Sequence, residues 1–167
     1  MTGTGTAAVE HDSYSDDYIR AILHDVKTIA MVGASASWNR PSYFAMKYLQ
    51  QKGFRVIPVN PRAAGTTILG EQVYATLEEI PQGVDVVDVF RPPAECPAIA
   101  EQAARIGARV LWLQLGIRSD EAARIAEDAG LKVVMNRCPK IEYARLHGEL
   151  GWNGINSRVI SSKRRRI

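Results

Sequence analysis

The feature that most constrains this chain is an alternation of short, almost wholly apolar runs with longer stretches of helical period. The runs fall at residues 29–33, 55–60, 84–90, 109–113 and 131–135, and helical patterns follow at 41–52, 94–106, 119–128 and 139–146. A strand that is apolar on both faces must be covered on both faces, which is the condition of a parallel sheet between two helical layers. The sequence therefore predicts an α/β fold, a Rossmann-like doubly wound sheet of five mainly parallel strands with helices on both faces. Gly53 ends one helix before the second strand, and Ser119 is the expected N-cap of another. Ahead of the first strand, Tyr18, Ile19, Ile22, Leu23 and Val26 form a helical stripe within residues 14–26, an added N-terminal helix. One connection breaks the rhythm: residues 61–83 carry Gly65, Gly70, Pro81 and Gly83 and only a short helical candidate at 76–80. So long a loop is either functional or conceals an element.

At 167 residues the chain has one-domain length, and we divide it into a flexible leader at 1–13, the domain at 14–146 and a basic tail at 147–167. The net charge of +3 misleads, because five of the 21 cations lie at Arg158, Lys163, Arg164, Arg165 and Arg166. The preceding residues hold the other 16 against all 18 carboxylates. A nucleic-acid role resting on a tail of this kind, without interleaved aromatics, is not expected. No apolar run reaches membrane-spanning length, and the leader lacks the charged start and apolar centre of a signal peptide. Two cysteines, Cys96 and Cys138, form neither a disulfide framework nor a metal pattern, which suits the cytoplasm.

The chemistry concentrates where strands end. The first strand turns through Gly33-Ala34-Ser35-Ala36 into a helix, and small side chains there let backbone amides approach an anion closely. A dinucleotide fingerprint would need two further glycines, and the second strand ends Val59-Asn60-Pro61 with no acid for the ribose hydroxyls of NAD. A Walker A lysine is also absent. Ligands of open parallel sheets bind beyond the carboxyl ends of the strands. That edge gathers residues 33–40, 60–62, 90–93 and 114–116, so Arg40, Arg62 and Arg91 converge, the equipment for a polyphosphate.

Together with Trp38-Asn39-Arg40-Pro41-Ser42, Leu69-Gly70-Glu71, Asp88-Val89-Phe90-Arg91, Trp112-Leu113-Gln114-Leu115-Gly116 and Asn136-Arg137-Cys138-Pro139-Lys140, these motifs resemble the small bacterial CoA-binding proteins. Those are single Rossmann-type domains similar to the N-terminal domain of the succinyl-CoA synthetase α subunit. The resemblance spans roughly residues 16–146 and implies that CoA or acyl-CoA is the ligand. It implies that Gly33, Ala34, Ser35 and Ala36 hold the pyrophosphate, while Asn60, Pro61 and Arg62 border the adenosine and its phosphate. Phe90, Arg91 and Pro92 would line the next wall, Arg40 and more weakly Lys140 would meet phosphate, and Gln114 and Gly116 would face the pantetheine arm.

The synthetases add a domain bearing a phosphorylated histidine, and this chain has no length for one. His11, His24 and His147 lie outside the expected crevice, and Asp85 and Asp88 do not share a strand face as a catalytic pair would. The expectation is thus a binding protein with no catalytic residue and no metal, which senses, buffers or delivers acyl-CoA. The alternative is a small NADP- or CoA-using enzyme. Cys138 sits beside Arg137 and Lys140 at a helix start, a setting that can lower a thiol pKa and permit a mixed disulfide with the CoA thiol, although packing is its favoured role.

Overall fold

The computed structural model describes residues 10–148, so the rest of the leader and the basic tail lie outside the described residues. In chain order the principal elements are α1 (Asp16–Asp25), β1 (Thr28–Val32), α2 (Pro41–Gln51), β2 (Arg55–Val59), β3 (Thr67–Ile68), β4 (Glu71–Gln72), β5 (Val86–Val89), α3 (Cys96–Arg105), β6 (Val110–Leu113), α4 (Asp120–Asp128), β7 (Lys132–Val134) and α5 (Pro139–Leu146). The main sheet has the order β2-β1-β5-β6-β7, with every neighbouring pair parallel. The order reverses between β1 and β5, which opens a crevice above their carboxyl ends.

Each strand divides its apolar side chains between two layers, as its pattern requires. Val87, Val89, Leu111 and Leu113 pack with Ile99, Ala100 and Ala103 of α3 and Ala122 and Ala126 of α4. On the opposite face Ile29, Met31, Val86 and Trp112 meet Ile19 and Ile22 of α1, Met46 and Leu49 of α2 and Ala144 of α5. The alanines of α3 and α4 let those helices lie close together and on the sheet. Ser15 and Ser119 cap α1 and α4, their hydroxyls accepting from the amides of Tyr18 and Ala122.

The long connection does conceal an element. β3 and β4 pair antiparallel around Leu69 (φ 49°) and Gly70 (φ 83°), a two-residue hairpin turn with both φ positive. Ile68 and Val73 bury themselves against the α2 side, and Tyr74 bridges to Val59 at the sheet's edge. The helical candidate at 76–80 shrinks to a 3-10 turn, Leu77–Glu79. Ahead of α1, Asp12 pairs with Arg118 at 2.6 Å, and His11 bonds both Tyr14 and Glu127. Tyr14 accepts from the amide of Met135 and Tyr18 donates to the carbonyl of Val133, fastening α1 to the β7 edge.

At the amino edge, the Asp85 carboxylate accepts from the amides of Lys27 and Thr28. At the carboxyl edge Gly33 (φ +87°) turns the chain so tightly that a Cβ would lie 2.6 Å from the Phe90 carbonyl oxygen and 2.9 Å from Cδ of Arg91. Gly33→Ala therefore combines a strained left-handed conformation with a backbone clash, and a loss of about 3 kcal/mol in unfolding free energy is expected from denaturant titration.

Candidate functional site

Most of the residues predicted at the strand ends come together as the walls of two adjoining cavities. One, of 550 Å³, is bounded by Gly33, Asn60, Pro61, Arg62 and Arg91, with Thr76, Leu77, Glu95, Ile99 and Gln102 completing it. The second, of 760 Å³, runs from Gly33, Ala34 and Ser35 past Arg40 and Ser42 to Phe90, Pro92, Gln114 and Leu115. Gly33, Asn60, Arg62 and Arg91 border both.

Local bonding shows how the sequence shapes this edge. The Asn60 side-chain amide donates to the Ala34 carbonyl at 2.9 Å, and its oxygen accepts from the amide of Arg62 at 3.0 Å. Both polar atoms of Asn60 thus tie the β1 turn to the end of β2. Ser42, buried in the first turn of α2, accepts from the amide of Ser35 at 3.2 Å, and the Ser35 hydroxyl accepts from Ser37 at 3.1 Å. The turn is consequently held against the start of α2, whose positive end points along it.

The three arginines are not equivalent. Arg91 is clasped by Glu95, with Nη2 to Oε2 at 2.8 Å and Nε to Oε2 at 3.1 Å. Arg40 and Arg62 are exposed and have no carboxylate partner among the described residues. Ala36 and Gly116, both expected at the site, line neither cavity, and the amide of Gly116 is taken by the Asn136 side chain at 2.8 Å. Glu95, Thr76 and Gln102 were missed, because nothing in their spacing marks them as neighbours of a glycine turn about 40 residues or more upstream. Among the described residues no group of His, Cys, Asp and Glu is arranged to hold a metal, and no helix is long and apolar enough to cross a membrane.

A family described as the CoA binding domain matches residues 27–144, well over half of the chain. This protein belongs to that family. Among its relatives, an uncharacterised protein, YneT, of Bacillus subtilis is 36% identical over 126 residues, covering 75% of this chain and 92% of that one. A solved structure from Thermus thermophilus shares 38% identity with a TM-score of 0.76, over 80% of this chain and 99% of that one. The α subunit of an ADP-forming acetate–CoA ligase I from Pyrococcus furiosus is 31% identical over 93 residues, 53% of this chain but 20% of the ligase subunit.

Beneath the crevice of this CoA-binding domain lie two buried groups whose protonation the fold controls. Asp88 is fully buried between Met31 and Trp112 in the sheet register, and neither carboxyl oxygen has a hydrogen-bond partner among the described residues. Burial pushes its pKa well above the ordinary carboxylate value. Cys138 is also buried, and desolvation raises its thiol pKa despite nearby amides of Lys140 and Ile141 and the side chain of Gln114. The activated thiol that its basic neighbours suggested is therefore not formed; loss of water outweighs them.

Two outcomes follow. Because native Asp88 keeps its proton where the unfolded chain releases it, its own contribution to stability is fully present below about pH 4 and is lost as the pH rises above that, by at most about 1.4 kcal/mol per pH unit. Thermal melts from pH 5 to 8 should fall more steeply for the wild type than for Asp88→Asn, and equal slopes would show that Asp88 ionises normally. Cys96 and Cys138 should both resist iodoacetamide at pH 7 in the native protein and react promptly in denaturant, as read by mass spectrometry.

Proposed function

We propose that this protein binds CoA or acyl-CoA along the carboxyl edge of its sheet and acts as a sensor, buffer or carrier of that ligand rather than as a catalyst. The observation that carries the reading is the extended form of the crevice. The two large cavities share the Gly33 turn, and a third of 250 Å³ continues the second past Pro41, Gln114 and Leu115. The first and third have no residue in common, so the crevice is a sequence of compartments suited to a long, jointed ligand. A nucleotide end, a pyrophosphate, an arm and a thiol fit such a sequence in that order.

In this reading the turn at Gly33, Ala34 and Ser35, with Ala36 beside it, faces the pyrophosphate, and Arg40 adds a guanidinium from the start of α2. Asn60, Pro61 and Arg62 border adenosine and its phosphate, with Phe90, Arg91 and Pro92 across from them. Gln114 meets the pantetheine arm, and Gly116 supports it through the bend after β6. Lys140, on the third cavity, lies beyond the phosphates and is better assigned to the thiol end. Membership of the family supports CoA as the ligand. The absence of catalysis is supported by the location of His11, His24 and His147 away from all three cavities. The two unpaired, buried thiols support a cytoplasmic setting.

Calorimetric titration with CoA, acetyl-CoA, NADP and ATP tests the proposal. CoA should bind, and Arg40→Ala and Arg62→Ala should each weaken it about two- to fivefold, the value of a solvent-exposed charged contact. Binding of NADP with none of CoA would replace this reading by that of an NADP-dependent enzyme.

A further inference from the structure

The third cavity is built differently from the two that precede it. It lies between the starts of α2 and α5, with Phe44, Ala45, Leu115, Cys138 and Ile141 among its walls. Ala45 and Cys138 at its base are buried, whereas Phe44 and Leu115 at its rim are 46% and 58% exposed. Apart from Trp38, these are the large apolar side chains that stand out to solvent among the described residues. Lys140 closes one side, its ammonium 5.8 Å from the centre of the Phe44 ring and 5.7 Å from that of Tyr48.

The junction with the main crevice is polar and incomplete. Gln114 borders both cavities, is 8% exposed, and its Oε1 has no hydrogen-bond partner among the described residues. A buried amide oxygen without a donor costs free energy unless a ligand supplies one. An acceptor at that point selects an N–H, and the pantetheine arm carries amide N–H groups before its sulfur.

We infer that this cavity is a subsite for the acyl group of a short-chain acyl-CoA, entered past Gln114, which accepts from a pantetheine amide. The inference rests on CoA as the ligand of the main crevice. Its walls are apolar, so each acyl carbon taken in leaves water for carbon contacts. At 250 Å³ it falls below the roughly 300–1,000 Å³ typical of pockets for drug-sized ligands. At roughly 30 Å³ per methylene-sized group it holds about eight such groups, which the last methylenes of the arm, the sulfur, the thioester carbonyl and about three further acyl carbons fill, and a longer chain emerges past Phe44 and Leu115 into solvent.

The test is calorimetry on the full chain with CoA, acetyl-CoA, butyryl-CoA and octanoyl-CoA. Affinity should rise about tenfold from CoA to butyryl-CoA, well within the value of three or four buried carbons, and then level off at octanoyl-CoA. Ile141→Trp, which fills the cavity, should bring the ratio of butyryl-CoA to CoA affinity down toward one. Phe44→Ala, at an exposed position that the fold tolerates, should lower the same ratio by removing a wall, and serves if the tryptophan variant does not fold by circular dichroism. Equal affinity of the wild type for CoA and butyryl-CoA would overturn the subsite while leaving CoA as the ligand. A rise of more than tenfold again from butyryl to octanoyl would also overturn it, pointing to an extended apolar surface. Failure of the wild type to bind any of the four would remove the CoA reading itself.

Discussion

The architecture turns on the contact of Gly33 with the backbone at Phe90. The Gly33 amide donates to the Val59 carbonyl and the Phe90 amide donates to the Val32 carbonyl, so the ends of β2, β1 and β5 are locked together by ladder bonds that run to the last residue. With a Cβ at position 33 the Phe90 oxygen would be only 2.6 Å away. The missing side chain is what lets β1 stop level with β5, and it fixes where the chain leaves for α2. Asn60 and Ser42 then hold the turn from either side, through Ala34 and Ser35. The crevice is thereby preorganised: its floor is sheet backbone, whose position does not depend on any exposed side chain.

The two edges of the same sheet illustrate how buried and exposed polar groups are managed differently. Asp85 has partners in the amides of Lys27 and Thr28, closing the amino edge with hydrogen bonds internal to the fold. Asp88, three residues on, enters the apolar layer beside Met31 and Trp112 with no hydrogen-bond donor to it among the described residues. A lone carboxyl there is tolerated only when neutral, since an ion without a partner in such a place is far costlier than an unmet hydrogen bond. Gln114, with its own unmet oxygen, lies over the same layer toward the carboxyl edge. Of the two, Gln114 alone borders the crevice, where a ligand's donor can complete its hydrogen bonding, whereas Asp88 is sealed within the layer and stays neutral.

The sheet and its helices were legible because doubly buried strands leave an uninterrupted apolar run, and four helices then follow from period and caps. The hairpin of β3 and β4 was not, since two-residue strands give no alternation to read, and its turn begins with Leu69, a residue that rarely adopts positive φ. The strand-end residues were found because a parallel sheet brings all its carboxyl ends to one edge whatever the separation along the chain. What that rule cannot supply is the far wall, contributed by the 3-10 turn at Leu77, by Glu95 just ahead of α3 and by Ile99 and Gln102 within it. Nor does local sequence reveal burial: Arg137 and Lys140 suggested an activated Cys138, and only the packing of α5 onto the sheet shows desolvation prevailing. Nor does sequence show that Gly116, expected to face the pantetheine arm, has its amide donating to the side chain of Asn136, itself at φ 57°.

The pairing of Arg91 with Glu95 changes how an anionic ligand can be held. Three convergent cations would make the crevice strongly positive, but one is matched by a carboxylate in a bidentate clasp at the same rim. A phosphate approaching Arg91 must share it with Glu95 or displace it, and Glu95 itself repels the phosphate. The attraction left comes from Arg40, Arg62 and the amides of the turn, and exposed charges contribute little each once screened by salt. Affinity for a ligand of several phosphates must therefore draw on its uncharged parts, through contact along the length of the crevice. That condition discriminates against small polyphosphates, which would meet the turn, Arg40 and Arg62 but leave the cavity beyond Gln114 unfilled, and it favours a nucleotide carrying a long arm.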